Sequence, residues 1–262
     1  MNTLNPRYPD FKRHFEASTL DICEFEVLIT QLCNLNCRDY CSEGGPGKIT
    51  MTPEMIDTSM KPFKQMGIVK ILGGEPSNAN HIVERIYDNI DNNGIKVNEL
   101  WVFTNGLDRE SVGKLAEIIA YKPKTVGDLY IYVSRGKFHD QAIRDRNREP
   151  KEADDNIEYL RNKYGRVMAV ETQWDEEMPL NVGHARDGTS NPVEESLDTR
   201  LLILFGQNKL HKLVFSPHGY ERPFFCNPED VQKLSFGHII NDGMEKILSR
   251  GLRFTDMNDK FV

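Results

Sequence analysis

FEVLITQLCNLNCRDYC, residues 25–41, decides how the rest of the chain is read. Its first six residues, Phe25 to Thr30, are mostly apolar or β-favouring, and such a run bounded by a polar segment reads as a buried strand. The strand leads directly into Cys33, Cys37 and Cys41, three of the chain's five cysteines, spaced four residues apart. Thiols clustered in this way serve as disulfide partners, as a zinc site, as redox groups, or as ligands of an iron–sulfur cluster with one iron left open.

Bulk properties narrow those alternatives. A chain of 262 residues can bury a sizeable core without covalent staples. The opening MNTLNPRYPDFKRHFEAS mixes acids, bases and proline, and reads as no signal peptide. No apolar run approaches the about 20 residues of a bilayer span, and the mean hydropathy is -0.54. The expectation is a soluble, cytoplasmic protein with no membrane partner, where a reducing environment turns clustered thiols toward metal or redox chemistry. A net charge of -7 and a pI near 5.6 weigh against a nucleic-acid partner, which would need a basic face. The densest basic stretch, RDRNR at 144–148, is interrupted by Asp145 and Asn147 and reads as a solvated helix end.

Along the chain, apolar runs alternate with amphipathic segments. Strands are expected at Phe25–Thr30, Ile68–Leu72, Leu100–Thr104, Leu129–Ser134 and Val167–Thr172, with a sixth at Pro179–Val182. Thr52 caps a helix with Pro53 in its first turn, and Gly67 is read as its end. Further helices follow GGEPS, start near Asp108, and run from Asp154 to Tyr164. Alternation of this kind favours a parallel sheet with helical crossovers. The fold class is therefore α/β, a partial (β/α)6 TIM-type barrel, with a small C-terminal appendage beginning after about Asp198. CNLNC, GGEP, TNG, SRG and NVG each fall at the C-terminal end of an expected strand, where such barrels bind ligands.

The loops carry their own chemistry. Three thiolates suit a soft metal or an iron–sulfur cluster. None of the seven histidines stands in an HxxxH or CxxC arrangement that would complete a zinc site, although His184 and Cys226 remain available from a distance. Gly73 and Gly74 permit close backbone approach and would expose N–H and C=O groups, and Glu75 can receive an ammonium; together they fit the α-amino and carboxylate groups of an amino acid. Asn105 and Ser134 suit ribose or carboxylate oxygens, and Tyr40 suits stacking on a purine. His139 and Asp140 read as a structural pair, and Cys23 and Cys226 as core thiols.

These motifs, in this order, resemble those of the radical S-adenosylmethionine (radical SAM) enzymes. The resemblance covers roughly residues 24 to 250 and rests on the cysteine loop after the first strand, GGE after the second, TNG after the third and a serine ending the fourth. YVSRGKFHDQAIR (132–144) is similar to the S-x-D-G … H-D … R segment of members that modify peptides or proteins, and NVGHARDG resembles their later GRA element. SPHGYERPFFCNPEDVQKLSFGHIINDG resembles the SPASM or twitch region. The implied organisation is an N-terminal extension at 1–23, a radical SAM core at 24–198 and a SPASM/twitch-like region at 199–262.

The resemblance implies that Cys33, Cys37 and Cys41 hold one 4Fe-4S cluster, that Tyr40 lies near the adenine, that Gly73, Gly74 and Glu75 hold the methionine amino end, and that Ser134 faces the ribose or carboxylate. It implies reductive cleavage of S-adenosyl-L-methionine to a 5′-deoxyadenosyl radical that abstracts hydrogen from a peptide or protein, with an external donor such as flavodoxin or ferredoxin supplying the electron. Two departures stand out. The family spacing is C-x3-C-x2-C, whereas this chain has C-x3-C-x3-C, as though Asp39 were inserted; one residue adds at most about 3.5 Å of chain. The C-terminal region keeps only Cys226, so no second cluster is expected. The alternative from a different class is a catalytically inactive or regulatory protein that binds zinc or an iron–sulfur cluster on the same barrel.

Overall fold

The structure, a computed structural model, describes residues 8–35, 37, 49–121, 124–175, 209–221 and 235–258. Its elements run α1 (Tyr8–Glu16), β1 (Leu20–Leu28), α2 (Pro53–Met60), β2 (Phe63–Leu72), a 3-10 turn (Pro76–Ala79), α3 (Asn80–Asn92), β3 (Lys96–Thr104) and α4 (Arg109–Ala120). They continue with β4 (Val126–Gly136), α5 (Lys137–Arg144), α6 (Lys151–Tyr164), β5 (Ala169–Asp175), β6 (Lys209–Phe215) and α7 (Gly243–Asn258). The strands form one sheet in the order β5-β4-β3-β2-β1-β6, and every pairing is parallel. Among the described residues β5 and β6 do not pair with each other, so the sheet is open, an arrangement consistent with a partial (β/α)6 TIM-type barrel.

The two-residue period of the strands separates the faces. Leu213, Phe25, Val69, Leu100 and Leu129 lie in register across five strands and are all buried. Helices cover that face with Ile56, Met60, Ile82, Val83, Ile86, Leu115 and Ile119, forming one continuous core. The adjacent row on the other face, Glu26, Lys70, Trp101 and Tyr130, is polar and aromatic. There Lys70 Nζ lies 3.0 Å from Glu24 Oε1, and Lys212 pairs with both Glu24 and Glu26. Burial opposes ionisation of Glu24, but hydrogen bonds and charge from Lys212 and Lys70 outweigh it and hold the carboxyl below its ordinary range. Trp101 and Phe103 pack against Tyr132, with ring centroids 5.3 and 5.2 Å away.

Local signals account for most boundaries. Thr52 Oγ1 accepts the Met55 N–H at 3.3 Å, with Pro53 opening α2, and Asp108 accepts from Glu110 and Ser111 to start α4. Gly67, however, does not end α2. The helix stops at Met60, and Gly67 lies inside β2 because Leu20 and Ile22 of β1 offer a ladder to Phe63 and Met66, and that pairing overrides local helix preference. A Cβ on Gly67 would sit 2.4 Å from the Cys23 carbonyl oxygen, so this strand position requires glycine. Cys23 itself is half-buried rather than a core thiol.

β1 begins at Leu20, inside the expected N-terminal extension. β6, from the expected C-terminal appendage, pairs with β1 and so joins the main sheet. The expected sixth strand at 179–182 and the boundary near Asp198 lie outside the described residues. No helix among the described residues is long and apolar enough to cross a membrane.

Candidate functional site

The segments that follow β1, β2 and β3 are stitched together at the C-terminal edge of the sheet. Beyond β1, Ile29 N–H donates to the Leu72 carbonyl at 2.8 Å, and Thr30 pairs side chain to side chain with Thr50 at 2.8 Å. The GGE tripeptide then runs alongside: Gly74 N–H donates to the Thr30 carbonyl at 2.6 Å and Glu75 N–H to that of Leu32 at 2.7 Å. A Cβ on Gly73 would lie 2.8 Å from the Thr30 oxygen, and one on Gly74 would lie 2.5 Å from that of Leu32. Close backbone approach was expected at these glycines, but what approaches is the chain's own cysteine loop. The Gly74 and Glu75 amides are consumed by that approach rather than exposed.

Glu75 is fully buried. Its Oε1 accepts from Thr104 Oγ1 at 2.7 Å and from Ser77 N–H at 3.1 Å, and its Oε2 accepts the Asn105 N–H at 2.7 Å. The carboxylate thus caps the 3-10 turn and ties β2 to the end of β3. Burial pushes its pKa up, and the donors from Asn105, Thr104 and Ser77 offset part of that.

Asn105 completes the connection back to the cysteine loop. Its Nδ2 donates to Asn34 Oδ1 at 2.6 Å and lies 3.9 Å from Cys33 Sγ, while its Oδ1 accepts the Leu107 N–H at 3.0 Å. Cys33 Sγ also accepts the Leu35 N–H at 3.4 Å. Cys37 is buried with Leu35, Leu107, Ala142 and Ile143 in a small apolar cluster separate from the main core, and Cys33 packs against the same cluster. Two soft sulfur donors therefore share a low-dielectric wall with amide N–H groups aimed at one of them, a setting that fits an iron–sulfur cluster.

The structure brings Cys33, Cys37, Gly73, Gly74, Glu75 and Asn105 together. Ser134 lies near the end of β4, half-buried and in register with Gln173. Tyr40, Cys41, His184 and Cys226 lie outside the described residues. Asp140 accepts from Arg135 at 3.1 and 3.2 Å, and Asp154 also pairs with Arg135, so the buried guanidinium anchors α5 and α6 to β4, a structural use of Asp140. Asn34, Thr104 and Asn156 escaped the sequence reading. Thr104 is the T of TNG, and Asn34 is the residue after Cys33. Asn156 donates to the Gly106 carbonyl at 2.8 Å from fifty residues away, and only the fold reveals it.

No family model matches the chain, and no curated protein matches it in sequence. Among solved structures it resembles native anSMEcpe, an anaerobic sulfatase-maturating radical SAM enzyme, determined with AdoMet and the Cp18Cys peptide bound. The TM-score is 0.56 at 13% identity, covering 90% of this chain and 83% of that one. The chain thus shares the fold of that radical SAM enzyme. It also overlaps Streptococcus suis SuiB bound to precursor peptide SuiA, with TM-score 0.45 and 11% identity over 94% of this chain and 71% of that one. That overlap is too loose to carry an inference.

Proposed function

We propose that the protein is a radical SAM enzyme that acts on a peptide or protein. The observation that carries this reading is the junction at the ends of three neighbouring parallel strands, where Asn105 bonds to both Glu75 and the cysteine loop. Adjacent parallel strands deliver the cysteine loop, the Gly-Gly-Glu turn and the TNG turn to one edge, and the thiol, carboxylate and amide groups gathered there suit one ligand. The shared fold with an enzyme that holds AdoMet and a peptide supports both cofactor and substrate class.

Cys33, Cys37 and Cys41 would hold one 4Fe-4S cluster. When bound, the cluster supplies the electron that cleaves S-adenosyl-L-methionine into the hydrogen-abstracting 5′-deoxyadenosyl radical, with an external flavodoxin- or ferredoxin-type donor restoring it. Leu35, Leu107, Ala142 and Ile143 shield Cys37 from water and pack against Cys33. Glu75, whose Oε2 accepts the Asn105 N–H, is assigned to the cofactor's ammonium, since a carboxylate oxygen can accept more than one hydrogen bond. Ser134 is assigned to a ribose or carboxylate oxygen and Tyr40 to the adenine face. Localisation in the cytoplasm follows from the need for reduced thiols.

Anaerobic reconstitution tests the ligand set. The wild-type chain is expected to take up about four iron and four sulfide ions. Cys33→Ala, Cys37→Ala and Cys41→Ala are each expected to lose them, while Cys23→Ala and Cys226→Ala keep them. A colourless protein carrying one zinc contradicts the reading.

A further inference from the structure

We propose that Asn105 is a positioning residue for Cys33 that donates an amide N–H to its sulfur and thereby raises the reduction potential of the cluster. The inference rests on the iron–sulfur reading above. It starts from the orientation of one buried side chain. Asn105 is 6% exposed, and a buried amide must place both hydrogens on acceptors. Its own backbone N–H is anchored on Glu75 Oε2 at 2.7 Å. The side-chain oxygen is identified by the Leu107 N–H it accepts at 3.0 Å, which fixes the amide's direction, since a flipped amide would set two donors against each other. The two remaining donors therefore face the cysteine loop. One reaches Asn34 Oδ1 at 2.6 Å, and the same nitrogen lies within sulfur hydrogen-bonding range of Cys33 Sγ at 3.9 Å.

Among the described residues, Leu35 N–H at 3.4 Å and the Asn105 amide give Cys33 Sγ N–H donors of different kinds. The backbone donor belongs to the cysteine loop itself. The Asn105 donor belongs to the end of β3 and is held by Glu75, so its distance from the sulfur is set by the sheet. Adding an electron to a thiolate-ligated cluster increases negative charge on the sulfurs and strengthens hydrogen bonds to them, which favours the reduced form. The apolar wall formed by Leu35, Leu107, Ala142 and Ile143 enlarges that effect by keeping the local dielectric low. A ribose or carboxylate role for Asn105 would require this amide to leave Asn34 and the sulfur.

The test compares reduction potentials of the anaerobically reconstituted full chain by redox titration followed with electron paramagnetic resonance. Asn105→Leu keeps the side-chain shape and removes the donor, and is expected to disfavour reduction about tenfold, equivalent to about 59 mV for one electron. Asn105→Ser, which cannot span the same distance, is expected to shift in the same direction. Asn34→Ala removes the other partner of the amide without touching the sulfur contact and is expected to leave the potential near the wild-type value. Equal potentials in wild type and both Asn105 variants overturn the proposal while the cluster reading stands. Loss of iron from both variants with unchanged circular dichroism also overturns it, because Asn105 is then a structural clamp. A wild-type chain that takes up no cluster defeats the underlying reading, and this proposal with it.

Discussion

Gly74 carries a hydrogen where any other residue carries a Cβ, and a Cβ there would lie 2.5 Å from the Leu32 carbonyl oxygen and 2.6 Å from that of Gln31. Both obstacles are backbone and cannot swing aside. Gly74→Ala is expected to lower stability by about 1–3 kcal/mol, read as a lower urea midpoint at unchanged slope. Gly113 in α4 is the contrast, with its nearest atom 3.9 Å away, so Gly113→Ala is expected to raise stability by roughly 1 kcal/mol. Equal effects at the two positions would contradict the close approach of GGE to the cysteine loop. The glycine pair was legible in the sequence as a place of close approach, but not what approaches it, because the partner backbone lies more than forty residues earlier. The same holds for Glu75: a carboxylate at a strand end is visible in the sequence, whereas its bonds to Thr104 and Asn105 exist only once β2 and β3 are paired.

At the scale of elements, the segment after β6 returns to the sheet through isolated bridges from Phe215 to Glu221 and from Tyr220 to His238. Glu221 is buried there, and burial pushes its pKa from 4.5 to about 7, with the Phe236 N–H drawing it part of the way back. A raised carboxyl pKa means the folded chain holds this proton more tightly than the unfolded chain. The associated stability is present in full below about pH 4.5 and is lost as the pH rises through about 7. The loss is on the order of 3 kcal/mol. Glu221→Gln is expected to remove that fall, so thermal unfolding of wild type and variant across this window should diverge, with wild type declining and the variant flat. Parallel curves would contradict a buried, proton-holding Glu221. The cap at Thr52 and the helix start near Asp108 were legible because such a boundary is a local arrangement of two or three residues. The end of α2 was misread at Gly67 because strand pairing with β1 is not local.

At the scale of the whole molecule, the α/β class and parallel sheet followed from alternation of apolar runs and helical segments, which every crossover must obey. The neighbour of β1 on its far side did not. β6 takes that edge from more than 180 residues later in the chain, and no periodicity announces such a pairing. The cysteine loop, GGEP and TNG were legible as a set because each is read at a strand end, and a parallel sheet delivers its C-terminal ends to one edge. The central claim is that this edge frames a radical SAM site, and its most direct test is the product of reductive cleavage. The reconstituted protein, incubated with S-adenosyl-L-methionine and dithionite without oxygen, is expected to release 5′-deoxyadenosine and methionine, and the Cys33→Ala variant none. A wild-type protein that carries its cluster and still returns the sulfonium intact would contradict the account.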